Sequence, residues 1–339
     1  MSGTQKRARI RPLAGLKISS GRPAEIKKSI PELAKATAQL SIRLAKGFGR
    51  RSFRVLNESR HQLRLMKCRA GFTLRNALTG RKPLTVHVGD QTFLLAAEGA
   101  VAAEIWCGRY AEERELEFII GALRPDMTFF DIGANAGLFS VPAAKKLRNG
   151  RVFAFEPSRW TYELLLRNAR LNNLENIRAL RSAVGDHTGE AILQVNAPGK
   201  DGLNTIGKPT HPDSQVVTNE VVPITTLDSF MREGSVNRVD VIKIDVEGAE
   251  RLVFLGAAGL LSRPNAPLIL YESGCLTKGF DYHPVESMWL LQKFGYSFFV
   301  IDSSTGKILR PSADRAYDAM VIAAKPAHPL YSTLGERAR

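Results

Sequence analysis

The part of the sequence that most limits the fold begins at residue 126, where short apolar runs alternate with longer amphipathic ones. The apolar runs predict seven strands, at 127–131, 151–156, 177–184, 239–245, 267–272, 296–301 and 318–324. Helices are predicted at about 137–147, 158–172, 226–232, 247–261 and 284–294. Strands that alternate with helices form a mostly parallel sheet with helices on both faces. The last two strands have no helix between them, so one of them is expected to run antiparallel.

Other segments precede, interrupt and follow this α/β core. Residues 84–95 have the alternation of a hairpin around Gly89-Asp90, and residues 111–123 have the apolar spacing of a helix. Residues 187–224, rich in Gly, Pro, Asn and Thr, predict a β-rich insertion or a loop over the strand ends. We therefore expect a basic extension at 1–82, a hairpin and helix at 83–125, the core domain at 126–325 and a tail at 326–339.

Positive charge is concentrated near the N-terminus. The net charge is +15, and residues 1–70 hold 18 Lys and Arg against 3 acids, which leaves 30 bases and 30 acids in the rest of the chain. Residues 1–28 combine this charge with Gly, Ser and Pro and are expected to be disordered. A capping box of Ser29 and Glu32 precedes leucines at near-helical spacing, which predicts a basic amphipathic helix at about 29–47.

Cysteine usage and hydropathy bear on the compartment. Cys68, Cys107 and Cys275 are odd in number and far apart in the sequence, so no disulfide framework is expected and a reducing compartment is favoured. The sequence has no apolar run of about 18 residues. Its basic N-terminus lacks the apolar segment of a secretory signal. We therefore expect a cytoplasmic protein without a transmembrane segment.

A glycine-rich turn connects the first strand of the core to the helix that follows it. In TFFDIGANAGLFS, Gly133 and Gly137 permit tight backbone geometry, and the amides that open the next helix can contact a ligand. Glu156 ends the second strand, where a carboxylate can accept hydrogen bonds from both hydroxyls of a ribose. Ligands of such sheets bind at the carboxyl ends of the strands. The turn and Glu156 therefore predict a nucleoside site.

Two kinds of nucleoside ligand have to be compared. A nicotinamide dinucleotide is disfavoured, because the turn reads D-I-G-A-N-A-G rather than G-x-G-x-x-G and because Asp131 would repel a pyrophosphate. S-adenosylmethionine (SAM) has an ammonium, a sulfonium and no phosphate, so a neighbouring acid stabilises it. The sequence favours SAM as cofactor, although the glycines and Asp131 also fit an ordinary turn and helix cap.

Several segments resemble those of the FkbM family of SAM-dependent methyltransferases. They are FFDIGANAGLFSVPAA, VFAFEPS, LNNLENIRALRSAVGDHTGEA, TTLDSF and VIKIDVEGAE. They follow the family's order over residues 105–325, and residues 1–82 lie outside the resemblance. The resemblance implies a Rossmann-like class I methyltransferase fold, with a mostly parallel seven-stranded sheet and a terminal antiparallel strand. It also implies methyl transfer to a hydroxyl of a sugar, glycan or small-molecule acceptor.

The resemblance further implies which residues bind the cofactor. Asp131, Gly133, Asn135 and Gly137 would surround the methionine half of SAM, and Glu156 would bind its ribose. Ser182 and Ala183 would border the adenine. Asn172 is a weaker candidate, because it also fits the end of a helix.

Two carboxylates follow the apolar strand in VDVIKIDVEGAE. Asp245 and Glu247 are two residues apart, so on an extended chain their side chains point the same way, toward the first strand's turn. A carboxylate there can accept the proton of an acceptor hydroxyl, and two neighbouring carboxylates raise each other's pKa. Glu272 ends the next strand and is a third catalytic candidate. No metal site is predicted, and a divalent ion held by these acids is the weaker alternative.

The partners of the basic extension and the class of acceptor stay open. The extension could bind an anionic surface or a protein partner. Nucleic acid is disfavoured, because only Phe48 and Phe53 supply aromatic rings before Phe72 and no nucleic-acid-binding motif occurs. The alternatives to an O-methyltransferase are a nucleic-acid methyltransferase guided by the extension and a non-catalytic protein that binds SAM.

Overall fold

A computed structural model describes residues 66–80, 82–108, 112–302, 305–311 and 319–338. The chain divides into two compact units, Met1–Ala77 and Leu78–Arg339. In the first unit, residues 66–77 are helical. The disorder predicted at 1–28 and the helix predicted at 29–47 lie outside the described residues.

In the second unit, strands alternate with helices, as the apolar runs predict. The strands are β1 (Leu84–Val88), β2 (Gln91–Leu95), β3 (Thr128–Ile132), β4 (Arg151–Phe155), β5 (Ile177–Leu180), β6 (Ala183–Val184), β7 (Gly189–Asn196), β8 (Val216–Thr225), β9 (Val241–Ile244), β10 (Leu268–Ser273), β11 (Ser297–Ile301), β12 (Ile308–Leu309) and β13 (Ala319–Ala324). The helices are α1 (Ala100–Trp106), α2 (Glu113–Ala122), α3 (Ser140–Lys146), α4 (Arg159–Leu171), α5 (Leu227–Glu233), α6 (Glu250–Leu255), α7 (Ala258–Leu261), α8 (Val285–Lys293) and α9 (Tyr331–Arg337). Within the described ranges, no helix has both the length and the hydropathy to cross a membrane.

The central sheet has eight strands in the order β12-β11-β13-β10-β9-β3-β4-β5. Neighbours are parallel from β10 through β9, β3 and β4 to β5. β13 is antiparallel to both β10 and β11, which confirms the predicted antiparallel strand. The short β12 pairs with β11 and adds an eighth strand to the seven predicted. β1 and β2 form the predicted hairpin in a sheet of their own.

Apolar side chains cover both faces of the central sheet. On one face, the rings of Phe130, Phe153, Phe155 and Phe230 pack with centroids 4.9 to 5.8 Å apart. On the other face, α2, α3 and α9 cover a second cluster that includes Phe129. Strands buried on both faces are apolar along almost their whole length. The polar residues at their carboxyl ends therefore lie at the edge of the core, where a site can form.

The predicted strand at 177–184 is wrong as a single element, because β5 joins the central sheet while β6 pairs with β8. The chain bends at Ser182, whose N–H donates to the carbonyl of Leu180 at 3.0 Å. An apolar run that continues through a bend does not reveal the change of sheet. β7 and β8 complete the second sheet, so the insertion at 187–224 is β-rich, as predicted.

Two predicted helices have different bounds in the structure. The helix predicted at 247–261 is interrupted between α6 and α7. Gly256 follows the last residue of α6, and its backbone packs closely against Gly185, because a Cβ at Gly256 would lie 1.9 Å from the carbonyl oxygen of Gly185. The helix predicted from residue 137 begins at Ser140, because the preceding residues belong to the glycine-rich turn.

The expectation about cysteines is corrected by the structure. Cys68 and Cys107 are each disulfide-bonded. An odd number of cysteines excludes complete pairing, but it leaves room for one disulfide. The cysteine count therefore no longer supports a reducing compartment.

Candidate active site

A cavity of about 660 Å³ lies at the carboxyl ends of the central parallel strands. Its wall includes the turn at 132–136 after β3, Glu156 after β4, and Lys243 with the segment 245–247 after β9. The insertion contributes residues 198–206. Open α/β sheets bind their ligands at this edge, so the cavity lies where the sequence places the site.

The turn after β3 has a backbone that only glycine fits at its first position. Gly133 has φ +78°, and a Cβ there would lie 1.8 Å from the carbonyl oxygen of Asp245. The N–H groups of Gly133 and Ala134 both donate to the carbonyl of Phe155 at 3.0 Å. Asn135, at φ 47°, accepts from the N–H of Ala136 through its own Oδ1 at 2.7 Å. The turn therefore lies directly against the end of β9 and forms a rigid part of the cavity wall.

Glu156 is buried at the end of β4 and holds the same turn in place. Its Oε2 accepts from the N–H of Asn135 at 2.8 Å. Its Oε1 accepts from the N–H of Ser158 at 3.0 Å and from Oγ1 of Thr161 at 2.7 Å. Burial raises the pKa of Glu156 to about 7, although the three hydrogen bonds act in the opposite direction. The carboxyl group lines the cavity and retains acceptor capacity toward a ligand.

Asp131 and Gly137 lie beside the cavity rather than on its wall. Asp131 is fully buried on β3, and its Oδ2 accepts from Oγ of Ser140 at 2.6 Å. Its Oδ1 has no hydrogen-bond partner and lies 3.9 Å from Nζ of Lys243. Burial raises the pKa of Asp131. A Cβ at Gly137 would lie 2.7 Å from Leu165, which shows close packing of the turn on α4.

The three remaining cofactor candidates occupy two different places. Ser182 and Ala183 line the cavity. Oγ of Ser182 donates to the carbonyl of Pro223 at 3.1 Å, which ties this wall to β8. Asn172 caps the C-terminus of α4 and does not line the cavity. Its side chain accepts from the N–H of Thr92 at 2.9 Å and donates to the carbonyl of Thr92 at 2.7 Å, which fastens β2 to the helix.

The three candidate catalytic acids are brought together at the ends of β9 and β10. One carboxylate oxygen from each of Asp245, Glu247 and Glu272 lies within 4.8 Å of the other two. That spacing would also allow the three carboxylates to share a cation. Asp245 and Glu247 line the cavity, and Glu272 does not. Parallel strands that end at the same edge bring together these acids from distant parts of the sequence.

The acidic turn after β9 is held by a residue that the sequence analysis missed. Glu247 has φ 55°, an uncommon conformation for a residue other than glycine. The buried Glu250 accepts from the N–H groups of Val246 and Gly248, both at 3.2 Å. Its position at the start of α6, after a glycine, is the sequence signal that could have identified it.

Burial and mutual repulsion raise the pKa values of several acids around this turn. Desolvation, followed by the charges of Asp245 and Glu250, raises the pKa of Glu247 to about 9. Desolvation, followed by the charges of Asp245 and Glu247, raises the pKa of Glu272 well above its usual range. Desolvation also raises the pKa of Glu250 to about 7. Glu247 can therefore hold a proton at neutral pH and donate a hydrogen bond.

Lys243 is the second residue that the sequence analysis did not include in the site. Its Nζ lies 3.0 Å from Oδ2 of Asp245 and donates to the carbonyl of Gly133 at 3.1 Å. Charge attraction to Asp245 and Asp131 raises its pKa, although burial acts in the opposite direction. Residues two apart on a strand point to the same face, so the spacing between Lys243 and Asp245 is the signal that could have identified this contact.

The sheet order, the antiparallel β13 and a cavity at the carboxyl ends of the strands define a Rossmann-like class I methyltransferase fold. Residues 131–298 match the methyltransferase FkbM domain. This match agrees with the resemblance of the motifs to the FkbM family of methyltransferases.

Three curated proteins illustrate this relationship. "Methyltransferase 1" of Beauveria bassiana is 31% identical over 147 residues, which cover 39% of this chain and 59% of that protein. "Methyltransferase sdnD" of Sordaria araneosa is 30% identical and covers 37% of this chain and 58% of that protein. "Hexuronic acid methyltransferase AglP" of Haloferax volcanii is 26% identical and covers 57% of this chain and 76% of that protein. The chain thus spans less than two thirds of the length of the first two.

Proposed function

We propose that this protein is a SAM-dependent methyltransferase that methylates a hydroxyl group on a sugar, glycan or small-molecule acceptor. The observation that carries the proposal is the meeting of Asp245, Glu247 and Glu272 beside the cavity that contains the Gly133 turn and Glu156. The match of residues 131–298 to the methyltransferase FkbM domain supports the same reaction class.

The cavity fits an adenosyl ligand without phosphate. Acidic side chains outnumber basic ones among the residues that line the cavity, and this excess of acids would stabilise the ammonium and the sulfonium of SAM. Glu156 would hold the ribose, and Ser182 and Ala183 would border the adenine. When bound, SAM would supply a methyl group on a positively charged sulfonium. Asp131 would contribute negative charge from behind the turn rather than by direct contact.

The acids after β9 and β10 account for the fate of the hydroxyl proton. Methyl transfer forms a carbon–oxygen bond, breaks a carbon–sulfur bond and releases one proton from the acceptor. Asp245 lies at the cavity wall and is the carboxylate that would accept this proton. Glu247, protonated at neutral pH, would donate a hydrogen bond to an acceptor oxygen. Glu272, which lies next to Asp245 and Glu247 but does not line the cavity, would influence the charge of these two side chains.

A hexuronic acid is the acceptor that we propose testing first. The protein from Haloferax volcanii bears the name of a hexuronic acid methyltransferase. In the present chain, Lys200 and His211 line the cavity from the insertion. A cationic side chain on that wall would suit an acceptor that carries a carboxylate.

Isothermal titration with SAM tests the cofactor assignment. We expect Glu156→Gln to weaken SAM binding at least about tenfold, because a charge-assisted hydrogen bond is lost. The matched control is Glu190→Gln, at an exposed position of β7, which should bind SAM like the wild type. Equal affinities for all three proteins would contradict the assignment.

Transfer of labelled methyl groups from SAM tests the acceptor class. Uronic acids, neutral sugars and RNA are incubated separately with the protein. Labelling of a uronic acid or a neutral sugar supports the proposal. Labelling of RNA alone would favour a nucleic-acid methyltransferase. SAM binding without transfer to any of these acceptors would favour a non-catalytic protein.

A further inference from the structure

Lys243 contacts both turns that form the reacting end of the cavity. Its side chain is almost fully buried on β9, with 3% of its surface exposed. Its ammonium lies 3.1 Å from the carbonyl oxygen of Gly133, 3.0 Å from Oδ2 of Asp245 and 5.2 Å from the ring centroid of Phe139. One side chain therefore links the turn after β3 with the turn after β9.

The two turns also touch through their backbones. β3 and β9 are neighbours, with Ile132 opposite Ile244. The missing Cβ of Gly133 leaves the space that the carbonyl group of Asp245 occupies. In the proposed function, the first turn holds the methyl donor and the second holds the acids that face the acceptor. The relative position of the two turns thus sets the relative position of the two reactants.

We propose that Lys243 is a positioning residue that fixes the acid turn of Asp245 against the glycine turn of Gly133. This inference rests on the proposed function. Methyl transfer is an in-line displacement, so donor and acceptor have to be aligned before reaction. Because the ammonium binds Oδ2 of Asp245, it holds this carboxylate at the wall of the cavity, where an acceptor hydroxyl would approach.

Charge explains why a lysine suits this buried position. Asp131 is fully buried 3.9 Å away, and Asp245 forms the closer ion pair. An uncharged side chain at 243 would leave these carboxylates without their cation, and an unpaired buried charge is strongly unfavourable. Arginine would retain the charge and the donors. Methionine would retain only the approximate length of the side chain.

Lys325 provides a matched control within the same chain. Its ammonium donates to the carbonyl of Arg263 at 3.0 Å and lies 5.4 Å from the ring centroid of Tyr296. It therefore has a carbonyl and a ring, as Lys243 does, but it does not line the cavity. Lys325→Met removes a contact with a carbonyl and a contact with a ring, as Lys243→Met does, and leaves the two turns and the ion pairs of Lys243 unchanged.

The first experiment measures SAM affinity by titration calorimetry for Lys243→Met, Lys243→Arg and Lys325→Met. Lys243→Met removes the contact that holds the glycine turn against the acid turn, so we expect the displaced glycine turn to bind SAM about tenfold more weakly or worse. Lys243→Arg should bind SAM more tightly than Lys243→Met, because the charge is retained, but less tightly than the wild type, because the guanidinium is larger than the ammonium it replaces. Lys325→Met should bind SAM like the wild type. Equal weakening by Lys243→Met and Lys325→Met, or none by either, overturns the proposal.

The second experiment needs neither SAM nor an acceptor and uses hydrogen exchange of the free protein. Asp245→Asn removes the charge that Lys243 binds, so we expect faster amide exchange in the turn at 132–137 as well as near residue 245. Unchanged exchange at 132–137 overturns the proposed coupling, even if Lys243→Met fails to fold. If the wild type does not bind SAM, but Asp245→Asn still speeds amide exchange at 132–137, the proposed function is refuted and the coupling between the two turns is supported.

Discussion

At the scale of single residues, the contact of Gly133 with Asp245 yields the sharpest prediction about stability. A Cβ at position 133 would lie 1.8 Å from a backbone carbonyl oxygen, and φ is +78°. We expect Gly133→Ala to lower the free energy of unfolding by about 3 kcal/mol or more, since both the clash and the backbone strain act in the same direction. Urea denaturation measures this loss.

Gly202 gives the control for that substitution. It lies in the insertion and lines the same cavity, but no atom lies within 4 Å of its added Cβ. Gly202→Ala should change the free energy of unfolding by less than about 1 kcal/mol. A similar stability for the two variants would show that the turns can separate without cost, contrary to the packing described above.

A second prediction at this scale concerns the pH dependence of stability. The pKa of Glu247 is about 9 in the folded protein, raised from an ordinary value of 4.5. Between these values, the folded state binds a proton that the unfolded state has lost, so stability falls as pH rises. Glu156 and Glu250 titrate near pH 7 and contribute only to the lower part of this decline. We expect Glu247→Gln to flatten the decline between about pH 7 and pH 9.

Thermal unfolding at a series of pH values measures this effect. The exposed Glu190→Gln is the matched control, because it removes a carboxylate from the surface of β7. Its stability should follow the wild-type curve throughout. A wild-type curve that rises between pH 7 and pH 9, or a Glu247→Gln curve parallel to it, would contradict the buried, protonated state of Glu247.

At the scale of secondary-structure elements, two asparagines attach the hairpin to the core. Asn168 is fully buried on α4, accepts from the N–H of Leu94 at 2.7 Å and donates to the carbonyl of Ala136 at 2.8 Å. Asn172 bonds to Thr92 in a less buried setting. We expect Asn168→Ala to lower the free energy of unfolding by about 2–3 kcal/mol and Asn172→Ala by about 1 kcal/mol.

Denaturation curves of the two variants test this ranking, with the exposed Asn219→Ala on β8 as control. The ranking follows because the loss of Asn168 leaves backbone groups unsatisfied where water has little access, whereas water can replace Asn172 more easily. Equal losses for Asn168→Ala and Asn172→Ala would count against this explanation.

The elements also show what sequence reasoning can and cannot reach. Apolar runs predicted the strands of the central sheet, because burial on both faces leaves a strong pattern. The division between β5 and β6 and the break at Gly256 depend on contacts with distant backbone, which the local pattern does not contain. At the site, strand ends predicted Asp245 and Glu272. The roles of Lys243 and Glu250 depend on which way their side chains turn, and the sequence gives only a weak signal for that.

At the scale of the whole molecule, the positive charge is concentrated in one part of the chain. Residues 1–65 hold 16 Lys and Arg and 3 acids, so nearly all of the net charge of +15 lies there. The family match begins at residue 131, well after this region. The residues proposed to bind SAM all lie beyond residue 130. Binding of SAM and attraction to an anionic surface should therefore be separable by deletion.

We expect the whole chain to bind phosphatidylserine-containing vesicles, with an affinity that falls at least about tenfold when salt is raised from 0.1 M to 0.5 M, because exposed charges are screened. A variant lacking residues 1–65 should lose this binding, while its affinity for SAM stays within about twofold of the whole chain. Vesicles of neutral phosphatidylcholine are the control. Vesicle binding by the variant that lacks residues 1–65 would show that the rest of the chain binds the anionic lipids. Loss of SAM affinity would show that the basic extension contributes to the cofactor site.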